Sequence, residues 1–299
     1  MQLFRFDFVA MSSPCAFHLY TEDGAAAELA ALAAREEVAR IEAKYSRYRP
    51  DSELSRLNRA AAAGAAVEVD DETAALLDFA VAAYEKSGGL FDITSGLLRK
   101  AWDFDQARLP EQAALEALLE CVGIVHLRWQ APVLGFSRAG MELDFGGIGK
   151  EYAVDRAAGI ARDFGIAHGM IDLGGDLRAL GPHPDGAPWR IGIRHPRAAE
   201  QILVTVPLGQ GGLASSGDYE RFMEVGGRRY SHILDPRTGW PCQGLASVSV
   251  LAEGCLAAGC VATIAMLKGE DGPAYLERTG LAHLYCEASG RWGGNAETA

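Results

Sequence analysis

Between Asp144 and Lys150 the chain reads Asp-Phe-Gly-Gly-Ile-Gly-Lys, with glycines set between a strand-like run and a helical one. Bare glycine backbone lets N–H groups approach an anion, and a helix N-terminus adds roughly half a positive charge. Lys150 in the first helical turn opposes the helix dipole, and a phosphate would give it a reason to be there. A tight strand–helix turn is the other reading of the same glycines. Two common nucleotide loops are excluded. Glu151 follows the lysine where a Walker loop carries Ser or Thr for Mg²⁺, and the G-x-G-x-x-G spacing is absent. The motif has an echo: Leu143-Asp-Phe-Gly-Gly147 recurs as Ile171-Asp-Leu-Gly-Gly175, 28 residues later. Each reads as a strand ending in an acid and a glycine pair.

A second concentration of chemistry lies at Ser215-Ser-Gly-Asp-Tyr-Glu-Arg221 and Tyr230-Ser-His-Ile-Leu-Asp-Pro-Arg-Thr-Gly239. Asp-Pro-Arg-Thr-Gly is turn chemistry in its own right. His232 beside it is the residue type best suited to proton transfer near neutral pH. Ser-His-Asp catalysis is not supported, because there is no G-x-S-x-G elbow and nothing marks Ser215 or Ser216 as an activated nucleophile. Two further polar stretches, Tyr45–Asn58 and Gly88–Thr94, read as loops with embedded aromatics. Tyr48 and Trp102 could stack a flat ring or serve as partial core. Arg47, Arg49 and Arg56 could offset phosphate charge or lie solvated.

These residues need elements to position them. Residues 3–9 and 15–20 pattern as paired strands, and Asp23-Gly24 opens an Ala-rich helix to about Tyr45. A second helix follows Asp71 and stops at Gly88-Gly89, and a third follows Pro110. Short strands are predicted at 132–136 and 141–145, then a helix from the Gly146 turn to Phe164. Strands follow at 169–173, 177–180, 189–194, 202–207 and 246–251. Cys255–Lys268 reads as a helix of small residues, and 281–286 as a last strand. The order lacks the strict β-α-β alternation of a doubly wound sheet. One domain over residues 1–289 is expected, with a flexible tail at 290–299.

Composition narrows the class. The 299 residues are 49% hydrophobic and 23% charged, enough to bury a sizeable core. The net charge of −12 argues against a nucleic-acid or anionic-membrane partner. No apolar run approaches ~20 residues. Arg5 and Asp7 interrupt the start, which does not read as a signal peptide or lipobox, so a cytoplasmic enzyme is expected. The six cysteines form no Cys-x-x-Cys pair and read as reduced, mostly buried thiols.

Taken in order, the motifs resemble the ApbE family of FAD:protein FMN transferases. The resemblance runs from about Met11 to Gly269. It rests on Met11-Ser-Ser-Pro-Cys, Tyr45-Ser-Arg-Tyr48 with Ser52 to Asn58, and Gly89-Leu-Phe-Asp-Ile-Thr94. It continues through Leu143–Lys150, Asp172-Leu-Gly-Gly-Asp176, Ser216-Gly-Asp-Tyr219 and His232-Ile-Leu-Asp-Pro-Arg-Thr-Gly239. It implies an α+β fold related to the T-fold, of mixed sheets and helices, with an FAD cleft between two subdomains. The implied reaction moves FMN from FAD onto a Ser or Thr hydroxyl of an acceptor flavoprotein and releases AMP. The alternatives are an FAD-binding protein with weak or no transfer activity and an FAD pyrophosphatase.

By that resemblance Met11, Tyr48, Asp144, Lys150 and Ile233 fall at FAD-contact positions, with Trp102, Asp103 and Phe104 matching another. His232 falls at the general base. The Gly147 carbonyl and the Thr263 hydroxyl fall at Mg²⁺-ligand positions. The family's metal site also carries an acid four residues before its threonine, and Ala257-Ala-Gly-Cys-Val-Ala-Thr263 has Gly259 there. Three outcomes follow. Another acid, such as Asp218 or Asp235, replaces it; Mg²⁺ is held weakly and turnover is slow; or FAD is kept unprocessed. With the rest of the cage present, Gly259→Asp is expected to tighten Mg²⁺ binding.

Overall fold

The computed structural model describes residues 1–298, the side chain of Ala199 excepted. Its strands are β1 (Gln2–Ala10), β2 (Ser13–Thr21), β3 (Val67–Glu68), β4 (Leu127–Gln130), β5 (Val133–Phe136), β6 (His168–Leu173), β7 (Asp176–Gly181) and β8 (Trp189–His195). They continue as β9 (Ala198–Leu208), β10 (Gly211–Gly217), β11 (Phe222–Val225), β12 (Arg228–Ser231), β13 (Leu245–Ala252), β14 (Ala282–Glu287) and β15 (Trp292–Gly294). The helices are α1 (Gly24–Tyr45), α2 (Glu53–Ala63), α3 (Asp71–Ser87), α4 (Gln112–Leu119), α5 (Gly149–Asp163), α6 (Cys255–Lys268) and α7 (Gly272–Thr279).

Eight strands form one antiparallel sheet in the order β1-β2-β6-β7-β10-β13-β14-β15. Alternation gives each strand a residue for each face. In β6, Ile171 joins the main core while Met170 joins a second cluster; in β10, Ala214 and Leu213 divide the same way. Helices α1, α5 and α6 belong to the main core, through small residues such as Ala34, Ala153, Ala157 and Ala258. The β8–β9 hairpin covers the opposite face with Trp189, Ile193, Val206 and Leu208. A three-stranded sheet β3-β5-β4 and the β11–β12 hairpin complete an α+β architecture.

Several expectations need correction. The supposed loop at 45–58 contains the start of α2. Its helix begins where the Ser52 hydroxyl accepts the Ser55 N–H (3.0 Å), and Leu54, Leu57 and Ala61 form its buried stripe. Residues 141–145 are not a strand. Their backbone is tied instead by Asn58, which donates to the Leu143 carbonyl (3.0 Å) and accepts its N–H (2.7 Å). The Asp144 N–H donates to the Ile93 carbonyl (2.8 Å).

Strand β10, Gly-Gly-Leu-Ala-Ser-Ser-Gly, has almost no strand propensity and forms because β7 and β13 flank it. Within the expected tail, β15 pairs with β14. All six cysteines are free thiols. Among the described residues no helix is long and apolar enough to cross a membrane.

Candidate active site

A cleft of about 1060 Å³ opens between the turn that starts α5, the β6–β7 turn, α6 and the segment that follows β12. That is at the upper end of ligand pockets, ~300–1,000 Å³. Tyr48, Trp102, Phe104, Asp144, Gly147, Lys150, His232, Ile233 and Thr263 all line it. Met11 and Asp103 do not. Met11 sits in the β1–β2 turn with φ 50°, its N–H bonded to Glu42, and its side chain packs on the core. The Asp103 carboxylate accepts the Gln106 N–H (3.0 Å) and faces Arg108 (3.6 Å), closing its own turn.

The two echoed turns meet in this cleft. In each the acid accepts an N–H of its own glycine pair: Asp144 from Gly146 and Asp172 from Gly175, both at 2.8 Å. Asp144 is also paired with Arg47. At Gly174, φ is 63° and a Cβ would lie 2.6 Å from that of Ser13, so only glycine lets the turn pass so close to β2. Lys150 reaches across to Asp176 (2.8 Å), a buried carboxylate, so the lysine that wanted an anion has one within the protein. Burial raises the pKa values of Asp172 and Asp176 above the ordinary carboxylate range.

His232 is open to the cleft, and its Nδ1 lies 3.1 Å from the Arg221 carbonyl. A carbonyl only accepts, so Nδ1 carries the proton and Nε2 remains a base. Desolvation by the surrounding protein lowers the pKa of His232 below the usual imidazole value, which favours the neutral ring.

Trp102 is less available than its sequence position suggests. It is 6% exposed, donates to the Gly239 carbonyl (2.9 Å) and stacks on Phe104 with ring centroids 5.8 Å apart. Tyr48 is the open aromatic face, 79% exposed, with Arg47 over its ring. The acid of Gly89–Thr94 has a structural use. Asp92 accepts the Thr94 hydroxyl (2.6 Å) and the Ile124 N–H (2.9 Å), clasping two loops at the cleft wall.

The profile of the ApbE family matches residues 11–285. The chain belongs to the ApbE family. It is 33% identical over 242 residues to the FAD:protein FMN transferase of Haemophilus influenzae, covering 77% of this chain and 70% of that one. It is 36% identical over 278 residues to the enzyme of the same name from Treponema pallidum, covering 85% and 76%. The ApbE protein of Thermotoga maritima superposes with a TM-score of 0.91 at 30% identity, over 98% of this chain and 97% of that one. The flavinyl transferase ApbE of Pseudomonas stutzeri superposes with a TM-score of 0.86 at 30% identity, over 100% and 95%.

Gly259 stands where the resemblance implies an acid, and the structure shows what lies against it. A Cβ at Gly259 would lie 2.6 Å from Glu151 Cγ and 2.7 Å from Oε1. Glu151 is buried on α5, and its Oε2 has no hydrogen-bond partner. Burial, reinforced by Asp176, pushes its pKa up to about 7. Asp218 and Asp235 are not replacements: they pair with Arg197 (2.5 and 2.7 Å) and Arg237 (2.7 Å) and do not line the cleft. In the sequence Glu151 stands out only as the residue that excludes a Walker loop. Its signal was the spacing of four from Asp155, one turn of α5.

Proposed function

We propose that this chain is an FAD:protein FMN transferase, with FAD in the cleft and an acceptor flavoprotein at its mouth. The observation that carries the reading is one cavity that joins a glycine turn at a helix start, cationic Arg47 and Lys150, and a neutral imidazole with a free Nε2. Its membership of the ApbE family, whose relatives carry that name, supports the same reading.

The chemistry is phosphoryl transfer, in which positioning and charge stabilisation do most of the catalysis. The acceptor hydroxyl oxygen bonds to the FMN phosphorus, the bridging P–O bond of the diphosphate breaks, and AMP leaves with that oxygen. His232 Nε2 takes the hydroxyl proton. The positive end of α5 and the cations at the cleft, Arg47 and Lys150, hold the phosphate charge. Tyr48 offers a face for a flat ring.

Mg²⁺ belongs to the same reading. The candidate donors are all oxygen, and a buried carboxylate oxygen without a partner faces the cleft, which fits a hard dication. The Gly147 carbonyl and the Thr263 hydroxyl would hold it, and when bound it would neutralise diphosphate charge.

The test is to mix the protein with FAD, Mg²⁺ and an acceptor flavoprotein. AMP release together with in-gel flavin fluorescence on the acceptor is expected. AMP without labelling would make the chain a pyrophosphatase, and no AMP at all would leave a binding protein.

A further inference from the structure

We propose that Glu151 supplies the carboxylate of the cation site in the cleft, reaching from α5 into the space that Gly259 leaves open on α6. The inference rests on the flavin-transfer reading above and names a ligand within it.

The placement follows from how two helices are locked together. Asp155 on α5 accepts the N–H groups of Cys255 (2.9 Å) and Leu256 (3.0 Å), capping α6 from outside its own chain segment. That contact fixes the register. One turn back from Asp155 is Glu151, and one turn on from Cys255 is Gly259. The two meet, as the 2.6 Å approach at the Gly259 Cβ position shows. The next rung in spacing is Gly147 and Thr263, and all four residues line the cleft. The space between the helices holds one carboxylate, not two.

The carboxylate is also left wanting. Glu151 is 8% exposed and its Oε2 is unpartnered. The adjacent cation, Lys150, is committed to Asp176 at 2.8 Å. A buried charge without a partner is unfavourable until a cation or a proton balances it. Among the described residues no group of three or more His, Cys, Asp or Glu is arranged to hold a metal ion. Main-chain, hydroxyl and FAD phosphate oxygens must therefore complete the shell, so cation binding should depend on FAD.

The probe is Mn²⁺, whose free ion is counted by electron paramagnetic resonance, added to the full chain with and without FAD. Flavin fluorescence quenching without metal gives FAD affinity separately. Wild type is expected to take up Mn²⁺ only with FAD bound. Glu151→Gln is expected to weaken Mn²⁺ binding at least ~10-fold, the lower end of what loss of an outer ligand partner costs. It should leave metal-free FAD binding as tight or tighter. Glu151→Ala should lose Mn²⁺ binding, and Glu151→Ala with Gly259→Asp should regain it, because the carboxylate then crosses from the other helix.

Equal Mn²⁺ affinity in wild type and Glu151→Gln, or no recovery in the double variant, overturns the assignment while FAD binding stands. Failure of wild type to bind FAD overturns the flavin reading itself. Should Glu151→Gln not fold, the comparison of Glu151→Ala with the double variant decides.

Discussion

Tyr152 and Glu151 are neighbours on α5, yet they face opposite electrostatic worlds. Tyr152 donates to Glu72 (2.9 Å) on the outer side of α5. There Glu72 is gripped by Arg40 (2.6 Å) and Lys44 (2.6 Å), and Lys44 also holds Asp70 (2.5 Å). Hydrogen bonds from Arg40, then Lys44 and Tyr152, outweigh burial and draw the pKa of Glu72 down to about 2. Burial opposes the shift at Asp70, but Lys44 and Thr73 carry it down to about 2 as well. On the inner side, burial instead raises Glu151, Asp172 and Asp176. Paired charge thus stabilises the fold on the outside, while on the inside Lys150 pairs with Asp176 and the Glu151 carboxylate is left without a partner. On the proposed reading, a cleft that receives the FAD diphosphate and a cation has to hold some of its charge uncommitted.

The comparison can be tested, starting with the largest effect. His232 belongs to the inner region, where desolvation favours neutral forms. His232→Ala is expected to lower the transfer rate by roughly 10²–10⁴-fold, the usual worth of a general base. In wild type the acid limb of the pH–rate profile should lie below pH ~6.5, because the folded value is depressed. A limb above that value, or a rate indifferent to His232→Ala, would remove the imidazole from proton transfer.

The outer region should show its effect in stability. Glu72→Gln is expected to cost about 2 kcal/mol in urea denaturation at pH 7, allowing for solvent screening of a partly exposed network. Its folded pKa is depressed, so this stabilisation is complete above the unfolded value of about 4.3 and is lost as pH falls towards 2. Wild type and variant should therefore converge in acid. A constant difference across that range would assign the loss to packing.

The inner region should show the opposite sign. Glu151→Gln is expected to stabilise the ligand-free protein by about 1 kcal/mol at pH 8. Its folded pKa is raised to about 7, so wild type matches the variant below pH ~4, loses stability as pH rises from there towards 7, and changes little above it. With FAD and Mn²⁺ present the gain should vanish or reverse. Destabilisation at pH 8 without ligands would mean that the carboxylate has a partner after all.

A smaller effect sharpens the account of the flavin face. Tyr48→Ala is expected to weaken FAD binding by about 1 kcal/mol, at the low end of aromatic–base stacking because the ring is so exposed. Unchanged affinity by fluorescence titration would leave the flavin ring without Tyr48.

Much of the fold could be read from local pattern. The Ala-rich helix from Gly24 to Tyr45, the glycine stop at Gly88 and the helix from Cys255 to Lys268 stand where periodicity put them. Weak patterns failed. Strand β10 is glycine and serine, and α2 hides in a polar stretch with only three buried residues. Residues 141–145 look like a strand in composition but take their hydrogen bonds from Asn58 and Ile93. For β10 and for 141–145 a partner distant in sequence, which no local window contains, decided the outcome, whereas α2 carries its own cap and stripe.

The sequence by itself determined the residue types lining the cleft and their order along the chain: glycine turns, lysine, histidine, threonine, and a glycine at 259. Tertiary structure alone decided which of those groups are paired and which acid lies against Gly259. Charge state depends on burial and on neighbours tens of residues away. Glu151 and Gly259 meet only because Asp155 sets one helix against another.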